Sequence, residues 1–410
     1  MVKKKLKKIL VVLLLVMYLF NCNIFAANFM YQTNDKKTSN EVSSSISTGT
    51  TVPAFKFESV SQILVEPTTG EIIYANNENE RLLPASVTKI MTLLLLMEKI
   101  DSGVISYQDK LTCSANASKM GGSQIWFKEG ETLTIDEALK AICVVSANDV
   151  TVAVAEMIGG SEENFVQMMN KKAEELNMTN THFMNSHGID EEGHYTTAYD
   201  IALMSMELIN KHKDILKYTS IWMDTLRNGN FSLSSTNKLI RYYEGATGLK
   251  TGSTSKALFN LSATATRKNT TMLAVVMKAP SSEARLNDVK QLLDYGFATY
   301  ETKEIAKEGV LVGEININKN ISKKAQVYIQ DNVNVLAKKG ENLNTEEIVT
   351  YVDNLTAPLS KGYIVGQMEI VDSFGNVIGK TNLVINEDIE KSNYKDYLIK
   401  MLKLYIMREV

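Results

Sequence analysis

The stretch PASVTKIMTLLLLMEKID, residues 84–101, decides how this chain is read. Pro84-Ala85 makes a turn, the side chains from Val87 to Ile100 are apolar nearly all round, and Asp101-Ser102-Gly103 ends the run. A helix that is hydrophobic on every face belongs inside a core. Yet Lys89 lies within it, three residues after Ser86, and at i and i+3 two side chains share one helix face. Desolvation and the positive helix end both lower the pKa of a lysine placed there. A neutral amine can then take the proton of the Ser86 hydroxyl, which is how a nucleophile is activated by an adjacent base. The S-x-x-K spacing alone is weak, since Ser235/Lys238, Ser253/Lys256 and Ser392/Lys395 repeat it. Only Ser86 follows a Pro-Ala turn and opens a long apolar helix.

Two further short motifs follow. Ser146-Ala147-Asn148 falls between two predicted helices; S-x-N recurs at Ser114/Asn116 and Ser235/Asn237, and a polar cap for the next helix is its plain structural alternative. Lys250-Thr251-Gly252 occurs once, ahead of a strand-like run from Leu258 to Ala265. A lysine and a threonine on an edge strand can bind a carboxylate, and the glycine is expected to let substrate approach the strand.

Around these motifs the chain organises itself. Ser61–Val65 and Glu71–Tyr74 flank Pro67-Thr68-Thr69-Gly70 as a β-hairpin. Thr134 with Glu137 is a capping box for a helix carrying Ile135, Ala138, Leu139, Ile142 and Val145 at helical spacing. One helix follows Asn148 and stops at Gly159-Gly160, and Phe165, Met168, Met169, Ala173 and Leu176 mark another. Leu258–Ala265 and Met272–Met277 read as adjacent strands, and Asn287–Tyr300 as a helix. Residues 55–300 are thus expected to form an α/β domain of sheet plus helical cluster. Residues 301–388 carry short β-type runs with a hairpin turn at Ser373–Asn376 and are expected to form a small all-β domain.

In order, S-x-x-K, S-x-N and K-T-G are the motif set of the active-site serine penicillin-recognising enzymes. With PASVTKIMT (84–92), Gly121-Gly122-Ser123-Gln124, Thr181-His182-Phe183, His187-Gly188-Ile189-Asp190 and Gly248–Gly252, the chain resembles the low-molecular-weight penicillin-binding proteins that are serine D-alanyl-D-alanine carboxypeptidases. The resemblance runs from about residue 55 to the C-terminus and implies a serine β-lactamase/transpeptidase-like domain. It implies that Ser86 is acylated by the penultimate D-alanine of a peptidoglycan pentapeptide stem, with Lys89 as general base. Ser146 and Asn148 would relay protons and hold the peptide. Lys250, Thr251 and Arg285 would bind the terminal carboxylate, and the N–H groups of Ser86 and Ser253 would form the oxyanion hole. β-Lactam antibiotics would be covalent inhibitors. Two positions depart from the family pattern: Ala147 stands where glycine is frequent, and Ser253 where relatives often carry His or Tyr. His187 reads as a structural support of the site rather than a base.

The ends and the composition complete the reading. A basic Met1–Lys8, an apolar Ile9–Phe20 and a small, polar Asn21–Ala27 form a secretory signal peptide over residues 1–27, cut after Ala26 or Ala27. Its apolar run is short for a membrane span, and Asn21 spoils a lipid attachment site at Cys22. Residues 28–54 are a polar, flexible linker. Residues 389–410 are expected to form a basic amphipathic helix with an apolar face of Tyr394, Tyr397, Leu398, Met401, Leu402, Leu404 and Tyr405, lying on a membrane surface, the alternative being docking on its own domain. The expected location is the outer face of the cytoplasmic membrane. A net charge of −3 over 410 residues argues against a nucleic-acid partner. The four histidines form no zinc motif, so neither metal nor cofactor is expected. Cys113 and Cys143 are left either disulfide-bonded or as two buried thiols.

Overall fold

Strands β1 (Ser61–Glu66) and β2 (Glu71–Asn76) form the expected hairpin in the computed structural model, which describes residues 55–321 and 324–406. The expected signal peptide and linker, and the last four residues of the terminal helix, lie outside the described residues. A 3-10 turn, Ala85–Thr88, leads into α1 (Lys89–Asp101), so Ser86 sits on a turn tighter than the single helix expected there. Every residue of α1 from Lys89 to Met97 is buried.

The short pair β3 (Lys110–Thr112) and β4 (Thr132–Thr134) precedes α2 (Ile135–Val145). This helix starts on the capping box: the Thr134 hydroxyl accepts from the Glu137 N–H while the Glu137 carboxylate accepts from the Thr134 N–H. Helices α3 (Asn148–Gly159) and α4 (Glu162–Glu175) follow, α3 closing on Gly160 in the left-handed conformation. Then come α5 (Ala198–Lys211), α6 (Leu216–Thr219), the hairpin β5–β6 (Met223–Leu226 and Phe231–Ser234) and α7 (Leu239–Tyr242), none of which the sequence patterns mark out. Strands β7 (Ala246–Thr254), β8 (Leu258–Arg267) and β9 (Thr270–Ala279) and helix α8 (Ser282–Thr299) complete the α/β part. Helix α8 begins five residues before the expected start, because the Ser281 hydroxyl caps it by accepting from the Ala284 N–H.

The five-stranded antiparallel sheet runs β2-β1-β9-β8-β7, with β7 at its edge. Alternate residues point to opposite faces. Ile63, Val65, Leu273 and Val275 enter the large core shared with α1, α2, α3 and α5, while Leu64, Ala274 and Val276 pack in a second core with Val289, Leu292 and Leu293 of α8. The polar match across the first face is a buried Ser205–Ser262 hydroxyl pair at 2.9 Å.

Beyond α8 the chain turns wholly to strand: β10 (Tyr300–Ala306), β11 (Leu311–Ile315), β12 (Ala325–Ile329), β13 (Val333–Lys338), β14 (Glu346–Tyr351), β15 (Ile364–Val371) and β16 (Val377–Ile385). They form a β10-β13 pair and a β11-β12-β16-β15-β14 sheet around Val327, Val365, Ile370, Leu383 and Ile385. Helix α9 (Tyr394–Ile406) ends the described chain with Tyr394, Tyr397, Leu398, Met401 and Leu402 all exposed, so these side chains are not docked on the β domain. Cys113 and Cys143 are buried free thiols.

Candidate active site

Lys89 is wholly buried and its Nζ is held at three points: 2.9 Å from Ser86 Oγ, 2.7 Å from Asn148 Oδ1 and 2.7 Å from the carbonyl oxygen of His187. Burial, and secondly the nearby Lys250, push its pKa well below the usual lysine range, with Asp149 opposing them. Ser86 is thus presented from a turn whose preceding residue, Ala85, is held at φ 49°. Strain of this kind persists only where the surroundings fix it. Here Asn260 of β8 donates its amide to the carbonyls of Leu83 and Pro84, at 2.8 and 3.0 Å. On the other side Gly188, at φ 90°, is packed so closely that a Cβ would lie 1.9 Å from the Ala85 oxygen.

The second motif is split between duties. Ser146 ends α2 in the left-handed conformation, and Asn148 opens α3 without capping it; Ala147 is the N-cap residue. The Asn148 amide instead donates to the Gly121 carbonyl at 2.7 Å, and its own N–H reaches the Ser123 carbonyl at 2.7 Å. The plain capping alternative is therefore not what this asparagine does. Its neighbour Asp149, which is buried and belongs to none of the three motifs, accepts the N–H groups of Ile125 and Phe127 at 3.1 and 2.9 Å and so pins the loop that carries Ser123.

Lys250 on edge strand β7 is also buried, and its Nζ donates to Ser146 Oγ and the Thr251 carbonyl, both at 2.9 Å. Burial pushes it down to about 7, with Arg285 adding to the fall and Cys143 opposing it. Thr251 Oγ1 pairs with Thr236 Oγ1 at 2.7 Å. A Cβ at Gly252 would meet Pro84 O at 2.7 Å, Val87 N at 2.9 Å and Ser86 N at 3.0 Å, so the glycine also makes room for the serine's own turn. Ser253, one residue on, is exposed.

Ser86, Ser146, Thr251, Gly252, Ser253 and Arg285 line one cleft, together with Ser123, Thr236, Phe259 and Ser282. Arg285 is buried in the first turn of α8, where Nη1 donates to the Asn260 carbonyl at 3.2 Å and Nη2 to Ser282 Oγ at 3.1 Å. Its Nε has no acceptor among the described residues, and burial lowers its pKa to about 10. His187 faces Lys89 with its carbonyl, while its ring, which burial pushes down to about 3, accepts the Ile189 N–H through Nδ1; it is a neutral support.

Thr236 escaped the motif search because it lies inside Ser235-Thr236-Asn237, one of the repeats of S-x-N. In that repeat Asn237 only shapes a turn, accepting from the Leu239 N–H and donating to the Gly248 carbonyl.

Known proteins resemble this chain over most of its length. Residues 47–281 match the family model of D-alanyl-D-alanine carboxypeptidase, and residues 300–391 that of the penicillin-binding protein 5 C-terminal domain. The D-alanyl-D-alanine carboxypeptidase DacF of Bacillus subtilis is 41% identical over 345 residues, covering 83% of this chain and 88% of its own. The crystal structure of penicillin-binding protein 5 from Haemophilus influenzae superposes with a TM-score of 0.68 at 28% identity, over 83% of this chain and 100% of that one. Penicillin-binding protein D2 from Listeria monocytogenes, solved in an ampicillin-bound form, gives a TM-score of 0.55 at 28% identity over 60% of this chain and 100% of its own.

Proposed function

The chain belongs to the D-alanyl-D-alanine carboxypeptidase family, and from that premise we propose that Ser86 is the nucleophile with which it removes the terminal D-alanine from peptidoglycan stem peptides. The observation that carries the assignment is the threefold hold on Lys89 Nζ. A neutral amine has two N–H donors and one lone pair. Asn148 Oδ1 and the His187 carbonyl can only accept, so they take the two N–H groups, and the lone pair is left for the Ser86 hydroxyl.

The reaction then follows in two halves. Ser86 Oγ attacks the penultimate D-alanine carbonyl as its proton passes to Lys89, and the N–H groups of Ser86 and Ser253 hold the oxyanion. The C–N bond breaks, and the leaving D-alanine nitrogen takes a proton from the Ser146 hydroxyl, which is replenished from Lys250 Nζ. Water then attacks the ester carbonyl and gives up a proton that returns through Ser146 to Lys250, and as the acid is released Ser86 Oγ recovers its proton from Lys89. A β-lactam opens its ring on the same Oγ, giving a covalent adduct.

Arg285, Lys250 and Thr251 supply the pocket for the terminal carboxylate. Charge-assisted hydrogen bonds contribute about 1.5–3 kcal/mol each. The enzyme is therefore expected to cleave a peptide ending in D-Ala-D-Ala and largely ignore its C-terminal amide, and Arg285→Ala should weaken the acid substrate far more than the amide. Steady-state kinetics on the acid and amide pair checks this. Equal cleavage of both by the wild type would mean that the carboxylate is not read.

The chain is further proposed to be exported and held at the outer face of the cytoplasmic membrane. The basic-then-apolar N-terminus and the exposed apolar side chains of α9 support this. No helix among the described residues is long and apolar enough to cross a membrane. The proposed attachment is interfacial, through the apolar face of α9. In fractionated cells the mature chain should begin after Ala26 or Ala27 and sediment with membranes, and removal of 389–410 should release it. Recovery of uncut chain in the cytosol would contradict both.

A further inference from the structure

We infer that Trp126, on the loop that runs on from Ser123 of the Ser86 cleft, is a stacking platform for a sugar ring of the peptidoglycan strand. The inference rests on the carboxypeptidase reading and extends it to the part of the substrate that carries the stem. Trp126 is 64% exposed, and its backbone has φ 55°. A bulky residue rarely adopts that conformation, and such strain gathers at functional sites. Here it is imposed from both sides. Asp149 holds the N–H groups of Ile125 and Phe127, which flank Trp126 and are themselves buried. Arg227, at the tip of the β5–β6 hairpin, donates Nη1 to the Ile125 carbonyl at 3.0 Å and Nη2 to the Trp126 carbonyl at 3.3 Å. The indole is thus displayed on a clamped loop, three residues from Ser123 of the cleft wall, with its ring centre 5.9 Å from that of Phe231. The loop is continuous with the cleft through Asn148, whose N–H meets the Ser123 carbonyl and whose side chain holds Lys89.

The chemistry of this wall favours a neutral ligand with an apolar face. Arg227 is paired with Glu131, Nε to Oε1 at 2.6 Å and Nη2 to Oε2 at 3.1 Å, so neither charge is spare for a charged partner. The guanidinium also sits 5.2 Å over the Phe231 ring and covers that face of it. What remains is an exposed aromatic face with a large contact area at low entropic cost, matched to the C–H face of an N-acetylated amino sugar.

The test compares two substrates that share the sequence of the stem, N-acetylmuramoyl pentapeptide and the same pentapeptide without the sugar. Trp126→Ala, and Trp126→Gly, which suits the positive φ, should lower kcat/KM about tenfold more for the sugar-bearing substrate than for the bare peptide, through KM. Trp126→Tyr should restore most of the loss. Equal losses on the two substrates overturn the inference, and so does a loss that disappears when the amino group of the third stem residue is acetylated, since the indole would then be reading a cation. A wild type that cleaves neither substrate overturns the carboxypeptidase reading and this inference with it.

Discussion

Ser86→Ala is expected to abolish both release of D-alanine and covalent labelling by a fluorescent penicillin, while the protein stays folded. The hydroxyl is hydrogen-bonded to Lys89 Nζ, and the turn that carries it is fixed by other groups, Asn260 above all. Removing Oγ leaves Lys89 with Asn148 and His187, so no buried group is stranded. The chemistry has no substitute: among the described residues no other hydroxyl is hydrogen-bonded to Lys89 Nζ, and Ser146 is bonded to Lys250 instead. Loss of a nucleophile that works as one unit with its base costs on the order of 10⁴–10⁶ in rate. Labelling and thermal melting on the same preparation check this, and an adduct formed by the folded variant would remove Ser86 from its role.

Lys89→Arg should be nearly as damaging as Lys89→Ala, with acylation slowed by about 10²–10⁴. The side chain lies in a site with no solvent contact and two fixed acceptors. An arginine keeps its charge at any ordinary pH and offers five donors where the site provides for two N–H groups and a lone pair. If the positive charge alone mattered, arginine would restore function. If proton acceptance matters, it cannot. The pH profile separates the two in the wild type. Burial lowers the pKa of both lysines, Lys250 to about 7, and the proposed base is the neutral form of Lys89. Acylation should accordingly rise with pH from the acid side and level off well below 10.5. A rise that continues to pH 10, or rapid acylation by the arginine variant, would assign Lys89 an electrostatic role.

Much of the site was legible because its reactive groups come in three short, contiguous motifs. Lys89 could be read as buried from its apolar helix alone. What lay hidden is what the chain brings from afar. The acceptor that completes the hold on Lys89 is a backbone carbonyl, that of His187, and a carbonyl leaves no mark on a sequence. Thr236 was masked by a repeat of S-x-N, and Asp149 belongs to no motif although its carboxylate anchors a loop more than twenty residues away. The early start of α8 depended on Ser281, and missing that cap moved Arg285 outside the predicted helix. In the β domain, β10 reads YETKEIA, and its charged residues concealed a strand that is only half-buried.

The contact at Gly252 also says something about how this enzyme can change under antibiotic pressure. Strand β7 lies so close to the serine's turn that any side chain at 252 would strike the backbone of residues 84–87. The strand proposed to read the ligand and the turn proposed to attack it are therefore packed as one piece, so that neither is expected to retreat from a β-lactam without carrying the other along. Ser253 is the first position past that contact and is exposed. Variation that distinguishes drug from peptide has room at 253, where it can reshape the rim, and none at 252, where it would disable the reaction it was meant to protect.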